Sequence, residues 1–281
     1  MKKILVPVEL SHNSDSLLKY ANYFSGLMGA KIYLFHTAQL PDFYISDLED
    51  YKPYEKELKK ALERISSASM NCLQEMKLKY FKESSSVECE VKLAKNIYNE
   101  ILNYNDTLNP DLIIMGSSAE ETSGKIRIGS NTERVIKLTQ TPVIVVNKPV
   151  NNFKFKKIVF ASKFQKKSVE IFNFVDSFLN GQNASVRLLY INTKSNFEEY
   201  EDVKDRIEKF KKNFKGDFSV VIRAGKNVES AIVRYANSIN ADLIALGVKR
   251  KQGLSLYFTD KITEGVINLS DIPVLAINNP E

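Results

Sequence analysis

The chain of 281 residues has few of the residues that build disulfide frameworks or metal sites. Its only cysteines, Cys72 and Cys89, belong to no CxxC or Cys/His cluster, and its only histidines are His12 and His36. These spacings argue against a disulfide scaffold and against structural zinc. The chain also lacks a continuous apolar run of about 18 residues and the P-loop pattern GxxxxGK(S/T), which argues against a membrane span and a P-loop enzyme.

The N-terminal sequence MKKILVPVEL leads directly into a predicted strand, without the apolar segment and cleavage site of a signal peptide. We therefore expect a soluble, cytoplasmic protein. Residues 1–150 carry 19 Lys/Arg and 19 Asp/Glu, whereas residues 151–281 carry 21 and 15, so the net charge of +6 comes from the second half. Because these basic residues are scattered in short groups, we expect solvated surfaces and no nucleic-acid site.

An internal repeat organises the chain. Residues 94–149 align without a gap with residues 225–280 at an offset of 131, so that Asn147, for example, falls on Asn278. The starts of the two copies, Lys3–Val6 and Lys157–Phe160, match at an offset of 154, which leaves 23 additional residues in the first copy. The repeat predicts two domains, 1–149 and 154–281.

Each copy alternates short apolar runs with helical patterns. The strands predicted for the first copy are Ile4–Val8, Ile32–His36, Val87–Leu93, Leu112–Gly116 and Val143–Val146. Such alternation predicts an α/β fold with two tandem doubly wound, five-stranded parallel sheets. The 23 additional residues lie in the segment 40–65, which is interpreted as a surface crossover in preference to a lid over a site.

The final strands of the two copies, Val143–Val146 and Val274–Ile277, are predicted at or near sheet edges. An apolar edge strand promotes aggregation unless it is paired. We therefore expect the final strands to pair across a twofold or pseudo-twofold axis, either within the chain or by self-association.

Ligands of open parallel sheets bind at the carboxyl ends of the strands, where the strand order reverses. After the fourth strand, Gly116, Ala119 and the pair Gly129-Ser130 could bring backbone N–H groups and a helix start close to a phosphate. Ser130 to Glu133 also fits a capping box, which needs no ligand. These residues alone leave both interpretations open.

Five motifs in order, ILVPVELS, LFHT, PDLIIMGSS, IGSNTERVI and TPVIVV, resemble those of the universal stress protein family, and the resemblance covers the chain twice. It implies Rossmann-like domains of the adenine nucleotide alpha hydrolase-like type. The nucleotide-binding members of that family have the pattern G-x2-G-x9-G-(S/T) after strand four and an acidic residue after the proline of strand one.

The resemblance implies a site for ATP or a related adenine nucleotide, with or without Mg²⁺, in the first domain. At the nucleoside end it implies Pro7, Val8, Glu9 and Thr37. At the phosphates it implies Met115, Gly116, Ala119, Gly129, Ser130, Asn131 and Thr132. Two residues depart from the pattern: Glu9 replaces an aspartate, and Ala119 replaces a glycine, which adds a Cβ where the pattern requires close approach to the backbone.

The second copy departs further from this pattern. Lys163 stands in place of the acid, Arg250 in place of the second glycine, and Asp260-Lys261 in place of Gly-Ser. Because an aspartate at the helix start repels phosphate, we expect the second domain to have lost the nucleotide site. His36, whose counterpart is Tyr190, is interpreted as a packed, hydrogen-bonded side chain and not as a catalytic one.

The function implied by the resemblance is that of a stress-response regulatory protein, in which nucleotide binding alters association with an unknown protein partner. The alternative is an interaction or scaffold protein without a nucleotide, in which the repeat forms a pseudo-dimer. No general base or metal cluster is evident, so we expect no enzyme activity beyond slow ATP hydrolysis.

Overall fold

The structure is a computed structural model. It describes residues 2–11, 14–40, 55–81, 86–117, 127–147, 155–179, 184–248 and 261–278. Over these ranges the chain forms ten strands and eight helices, which confirms the predicted α/β fold. None of the helices in these ranges is long and apolar enough to span a membrane.

The elements of the first repeat follow the predicted order. Its strands are β1 (Lys3–Pro7), β2 (Lys31–Gln39), β3 (Val87–Ala94), β4 (Leu112–Gly116) and β5 (Val143–Val146), and its helices are α1 (Ser14–Met28), α2 (Glu55–Tyr80), α3 (Ile97–Leu108) and α4 (Ser130–Leu138). Strand β2 is longer than predicted, because its pairing with β3 continues past His36 to Gln39. Thr37 therefore lies inside β2 and does not follow it.

The second repeat has the same succession of elements. Its strands are β6 (Lys157–Ala161), β7 (Ser185–Asn192), β8 (Asp217–Ala224), β9 (Leu243–Val248) and β10 (Val274–Asn278), and its helices are α5 (Lys167–Leu179), α6 (Tyr200–Lys211), α7 (Val228–Ser238) and α8 (Lys261–Leu269).

The chain divides into two compact units, residues 1–115 and residues 116–281. In the first unit the strands follow the order β3-β2-β1-β4 and are parallel. In the second unit the order is β5-β10-β9-β6-β7-β8, with only the β5–β10 pair antiparallel. The order β8-β7-β6-β9 repeats β3-β2-β1-β4, which confirms that the two repeats share one fold.

The boundary between the units lies inside the first repeat, because β5 pairs with β10. Val145 lies opposite Val274, and Val143 lies opposite Ala276. The predicted pairing of the final strands is thus found within one chain, whereas association between chains stays a prediction. The domain limits 1–149 and 154–281 also stay a prediction, since the compact units divide the chain earlier.

The same hydrogen bonds fasten the first strand of each repeat. The Asp111 carboxylate accepts a hydrogen bond from Lys3 N (2.8 Å), and Asp242 accepts from Lys157 N (2.9 Å). The side chains of these two lysines also donate to carbonyl oxygens at or just beyond the end of a helix, Lys3 to Leu108 and Lys157 to Ile239. Asn109 and Asn240, the residues that follow these carbonyls, are both left-handed, with φ of 48° and 49°. The sequence repeat is therefore also a repeat of local structure.

Helix α2 contains much of the additional length of the first repeat. It has 26 residues, whereas the corresponding helix α6 has 12. Its C-terminal half packs against the sheet, where Leu73 is fully buried. Within its described part the segment is therefore a crossover helix between β2 and β3, and residues 41–54, which contain the rest of the insertion, lie outside the described ranges.

Candidate functional site

The strand order in residues 1–115 reverses between β1 and β4. These strands are direct neighbours, with Ile4 opposite Leu112 and Leu5 opposite Ile113. The chain leads from β1 to β2 on one side, whereas β4 lies on the other side. The carboxyl ends of β1 and β4 therefore form the switch point at which ligands of open parallel sheets bind. Pro7, Val8 and Met115 all lie at these carboxyl ends and are buried.

Two hydrogen bonds from β1 to β2 hold the turn that follows β1. Val8 N donates to Phe35 O, and His36 Nδ1 donates to Val8 O, both at 2.8 Å. Because a carbonyl oxygen only accepts, Nδ1 of His36 carries a proton. His36 is hydrogen-bonded as predicted, but it is half-buried and not packed in the core. This hydrogen bond from His36 holds Val8 at the carboxyl end of β1.

Glu9 follows this turn with its side chain exposed. Its carbonyl oxygen accepts hydrogen bonds from Ser11 N (2.7 Å) and from the Ser14 hydroxyl at the start of α1. The backbone of Glu9 is thus engaged in starting a helix, while the carboxylate faces solvent. A carboxylate in this position can accept hydrogen bonds from hydroxyl groups such as those of a ribose.

Thr37 presents a buried polar atom inside β2, two residues before the strand ends. The residue is 6% exposed, and its hydroxyl has no hydrogen-bond partner among the described residues. Leaving a buried hydroxyl without a partner costs about 1–3 kcal/mol, so such groups in folded proteins commonly face a ligand or an ordered water. Thr37 therefore fits the predicted contact with a polar ligand atom.

The end of β4 is open beside Gly116. No heavy atom of the described ranges lies within 4 Å of the place that a Cβ on Gly116 would take. Its carbonyl oxygen accepts a hydrogen bond from the Thr132 hydroxyl (2.8 Å), which ties the end of β4 to the first turn of α4. Thr132 is thus buried with its hydroxyl engaged, and its backbone N–H is the group that remains for an anion.

Helix α4 begins without a side-chain cap. Its N-cap is Gly129, with φ −68° and ψ 147°, and Ser130 is the first helical residue. Of the two interpretations that the sequence left open, the capping box is wrong: Glu133 N donates to Gly129 O (2.9 Å), and the Glu133 carboxylate pairs with Lys137 (2.5 Å). The first-turn N–H groups, which include those of Ser130, Asn131 and Thr132, have no acceptor within the helix and lie at its positive end. This helix start suits an anion.

The structure thus arranges the predicted site residues in two groups. Pro7, Val8 and Met115 share one sheet edge, and Gly116 is joined directly to Thr132. Ala119 lies outside the described residues. The contacts of all eleven residues with a nucleotide stay predictions.

The corresponding places in the second repeat are filled by the repeat itself. A Cβ on Gly247, the counterpart of Gly116, would stand 2.4 Å from Ile171 Cδ1. In the turn after β6, the Phe164 ring is buried against Phe160 and Phe210, although its φ of 53° is uncommon for a bulky residue. The exposed Lys261 is the first residue of α8, while Lys249, Arg250 and Asp260 lie outside the described ranges.

A polar network occupies the carboxyl ends of β6 and β7. The Glu198 carboxylate accepts hydrogen bonds from Tyr190 OH (2.5 Å) and Arg206 (2.6 Å), and Asn196 links Tyr190 to Lys163. Burial raises the pKa of Tyr190 to about 12, and the hydrogen bond from Arg206 lowers the pKa of Glu198. Lys163, which replaces the acid of the first repeat, is therefore engaged with its own domain.

Three asparagines that the motifs did not single out join the two repeats within residues 116–281. Asn147 donates two hydrogen bonds to carbonyl oxygens at the C-terminal end of α8, those of Ile267 and Ser270, at 2.7 Å each. Asn278 in turn donates to carbonyl oxygens at the C-terminal end of α4, those of Ile136 (2.6 Å) and Thr139. The recurrence of this asparagine at the offset of 131 is the sequence signal that could have indicated that the pair joins the repeats. The third, Asn268, accepts a hydrogen bond from Ile128 N (2.7 Å) and has no such signal, because its counterpart is Lys137.

Comparisons with known proteins extend over the whole chain. The model of the universal stress protein family matches residues 1–147 and 154–278. Universal stress protein MJ0577 of Methanocaldococcus jannaschii is 28% identical over 161 residues, which cover 52% of this chain and 95% of that protein. MJ0531 of the same organism is 28% identical over 149 residues, covering 53% and 83%. The crystal structure of a universal stress protein from Archaeoglobus fulgidus shares the fold, with a TM-score of 0.72 at 20% identity over 99% of this chain and 98% of that chain.

Proposed function

Because the chain belongs to the universal stress protein family, we propose that its first repeat binds ATP or a related adenine nucleotide, and that occupancy regulates association with a protein partner during stress. One observation carries the choice of repeat. Among the described residues, no heavy atom lies within 4 Å of the place of a Cβ on Gly116 at the end of β4, whereas Ile171 fills the space beside its counterpart Gly247. A phosphate needs close approach to the backbone, which only the first of these positions offers.

The proposed nucleoside end lies at the ends of β1 and β2. The exposed carboxylate of Glu9 would accept hydrogen bonds from the ribose, and the unpartnered hydroxyl of Thr37 would meet a polar atom of the adenine. The buried side chains of Pro7 and Val8 form the apolar floor, with Val8 held in place by His36.

The proposed phosphate end lies at the end of β4 and the start of α4. Gly129 brings no side chain to the N-cap, so the N–H groups of Ser130, Asn131 and Thr132 are available to phosphate oxygens. Met115, Gly116 and Ala119 complete this group, as the family resemblance implies. Mg²⁺, if bound with ATP, would be held mainly by phosphate oxygens.

We propose at most slow ATP hydrolysis. The polar side chains assigned to the phosphates are hydroxyl and amide groups, and none of the assigned side chains is a carboxylate or imidazole that could act as a general base. A regulatory binding role requires no such group. The cytoplasm is the compartment that we propose, since both cysteines are free thiols, as is usual in a reducing environment.

Titration calorimetry of the intact chain with ATP tests this function, and we expect one site per chain. Replacing Gly129→Glu should abolish binding, because the carboxylate blocks the backbone approach and repels phosphate. The matched control is Asp260→Ala at the corresponding place of the second repeat, which should leave the affinity unchanged. Two equivalent sites, or a loss of binding in the Asp260 variant alone, would contradict the proposal.

The Ala119→Gly variant is a finer test of the same site. If the Cβ of Ala119 hinders close approach to the phosphates, glycine should tighten ATP binding, and a tenfold gain would correspond to about 1.4 kcal/mol. An unchanged affinity would mean that the backbone at residue 119 does not contact the nucleotide.

One observation favours a second function, that of a scaffold without a nucleotide. Pairing of β5 with β10 and the reciprocal bonds of Asn147 and Asn278 give residues 116–281 a pseudo-dimeric core that needs no ligand. A wild-type chain that binds no adenine nucleotide in the calorimeter would favour this function.

A further inference from the structure

We infer that Asn268 of the second repeat is a positioning residue for the phosphate end of the first repeat. This inference rests on the proposed nucleotide site. It assigns to the second repeat a role in binding a ligand that this repeat does not itself contact. The side chain acts on Ile128, the residue immediately before Gly129.

The contact that carries the inference is a single hydrogen bond across 140 residues of sequence. Oδ1 of Asn268, near the end of α8, accepts from the backbone N–H of Ile128 at 2.7 Å, and the bond is partly buried. Ile128 immediately precedes Gly129, the N-cap of α4. Glycine has the widest choice of backbone angles of any residue, so a fixed neighbour is needed to hold it in one conformation.

Helix α4 is held at its other end by the same repeat. The amide of Asn278, at the end of β10, donates to Ile136 O (2.6 Å) and to Thr139 O. The second repeat therefore fixes both the approach to α4 and its C-terminal turn. With both ends held, the first-turn N–H groups keep one direction before any anion arrives, which reduces the ordering cost of binding.

Asn268 supports the first repeat, but its counterpart in the first repeat cannot support the second repeat in the same way. The counterpart of Asn268 in the first repeat is Lys137, whose ammonium group is a donor only and pairs with Glu133 (2.5 Å). A lysine cannot accept a hydrogen bond from the backbone N–H of Thr259, the counterpart of Ile128. Lys137 therefore cannot give the second repeat the support that Asn268 gives the first, in agreement with the proposed single site in the first repeat.

The test uses the intact chain and three variants. Asn268→Leu keeps the approximate size of the side chain and removes the acceptor. Asn268→Asp keeps an acceptor and should retain protection of the Ile128 amide. Leu269→Ala changes the neighbouring, 55% exposed residue and serves as the matched control. ATP affinity is measured by calorimetry, stability by thermal unfolding, and the Ile128 amide by hydrogen exchange in the absence of ATP.

We expect Asn268→Leu to raise the Kd for ATP about five- to tenfold, the size of one lost hydrogen bond. Exchange at the Ile128 amide should accelerate in this variant and stay slow in Asn268→Asp, and the Tm should fall by only about 2–4 °C, as expected for the loss of one partly buried hydrogen bond. A general structural role would instead lower the Tm and leave the Kd unchanged.

The outcomes separate this inference from the proposed function. If the wild type binds ATP and Asn268→Leu binds it equally well, the inference is wrong and the proposed function stands. If the wild type binds no ATP, the proposed function fails and the inference fails with it. A drop in affinity equal to that of Leu269→Ala would also overturn the positioning role.

Discussion

The packing of Gly247 against Ile171 predicts opposite responses of two equivalent glycines to one substitution. In Gly247→Ala the new Cβ would lie 2.4 Å from Ile171 Cδ1, where ordinary contacts are 3.4–4 Å. Ile171 is 8% exposed, so its side chain must shift within a packed interior. In Gly116→Ala the new Cβ would meet no heavy atom of the described residues within 4 Å.

The expected loss for Gly247→Ala follows from the atoms involved. Cδ1 is the atom of Ile171 that comes too close, since Cγ1 at 3.5 Å and Cγ2 at 3.6 Å are ordinary contacts. Inserting a methyl group into such packing typically costs about 1–3 kcal/mol, and we expect the lower part of this range because Cδ1 is the free end of the Ile171 side chain and can rotate away. Replacing Ile171→Val removes Cδ1 and by itself costs about 0.5–1.5 kcal/mol. The double variant should therefore be destabilised by less than the sum of the two single changes.

Urea unfolding of the wild type, the three single variants and the double variant completes this cycle. Gly116→Ala should leave the free energy of unfolding within about 0.5 kcal/mol of the wild type. Equal destabilisation by Gly116→Ala and Gly247→Ala would refute the argument. Strict additivity of Gly247→Ala and Ile171→Val would also refute it, because the two side chains would then not be in contact.

Two further predictions concern the polar contacts of residues 116–281. Asn278→Ala should lower the free energy of unfolding by about 2–3 kcal/mol, since it leaves the buried carbonyl oxygens of Ile136 and Thr139 without their donor. Asn147→Ala, at the half-buried counterpart, should lower it by less. A larger loss in Asn147→Ala than in Asn278→Ala would contradict the burial argument. For Glu198 the hydrogen bond from Arg206 lowers the pKa in the folded state, so its stabilisation is present above the unfolded pKa and is lost as pH falls through the folded pKa. The stability difference between wild type and Glu198→Gln should therefore be largest near neutral pH and shrink in acid, and a pH-independent difference would contradict the ion pair.

The fold could be predicted from the sequence because its pattern is local and occurs twice. The apolar runs of β1, β3, β4 and β5 match the observed strands within one residue at each end. The predicted β2 is too short. Its last three residues, Thr37 to Gln39, continue no apolar run and belong to the strand because they pair with β3. A strand end that depends on its neighbour leaves no signal in its own sequence.

The capping box failed for a different reason. The pattern Ser130 to Glu133 is correct in spacing, but the helix begins one residue earlier than the pattern requires, with Gly129 as N-cap in place of Ser130. The Glu133 carboxylate is attracted by Lys137 one turn further along, and this i,i+4 pair competes with the reach back to the N-cap. The contact of Asn268 with Ile128 could not be predicted at all, because it joins residues of unlike type across the chain and has no counterpart in the repeat.

The two repeats can share one fold and differ in their candidate sites because the groups that stabilise the fold are not the groups that form the site. Asp111 and Asp242 fasten the first strands, and the final strands pair with each other through their backbones, which requires no particular side chain at the end of β4 or of β9. An open glycine, an uncapped helix start and a buried hydroxyl without a partner add nothing to stability, and the last of these lowers it. A repeat that binds no ligand can therefore fill these places with side chains at no loss to the fold, as Ile171 does beside Gly247. Among the described residues, the first repeat keeps all three features, and it does so although the unpartnered hydroxyl of Thr37 lowers its stability.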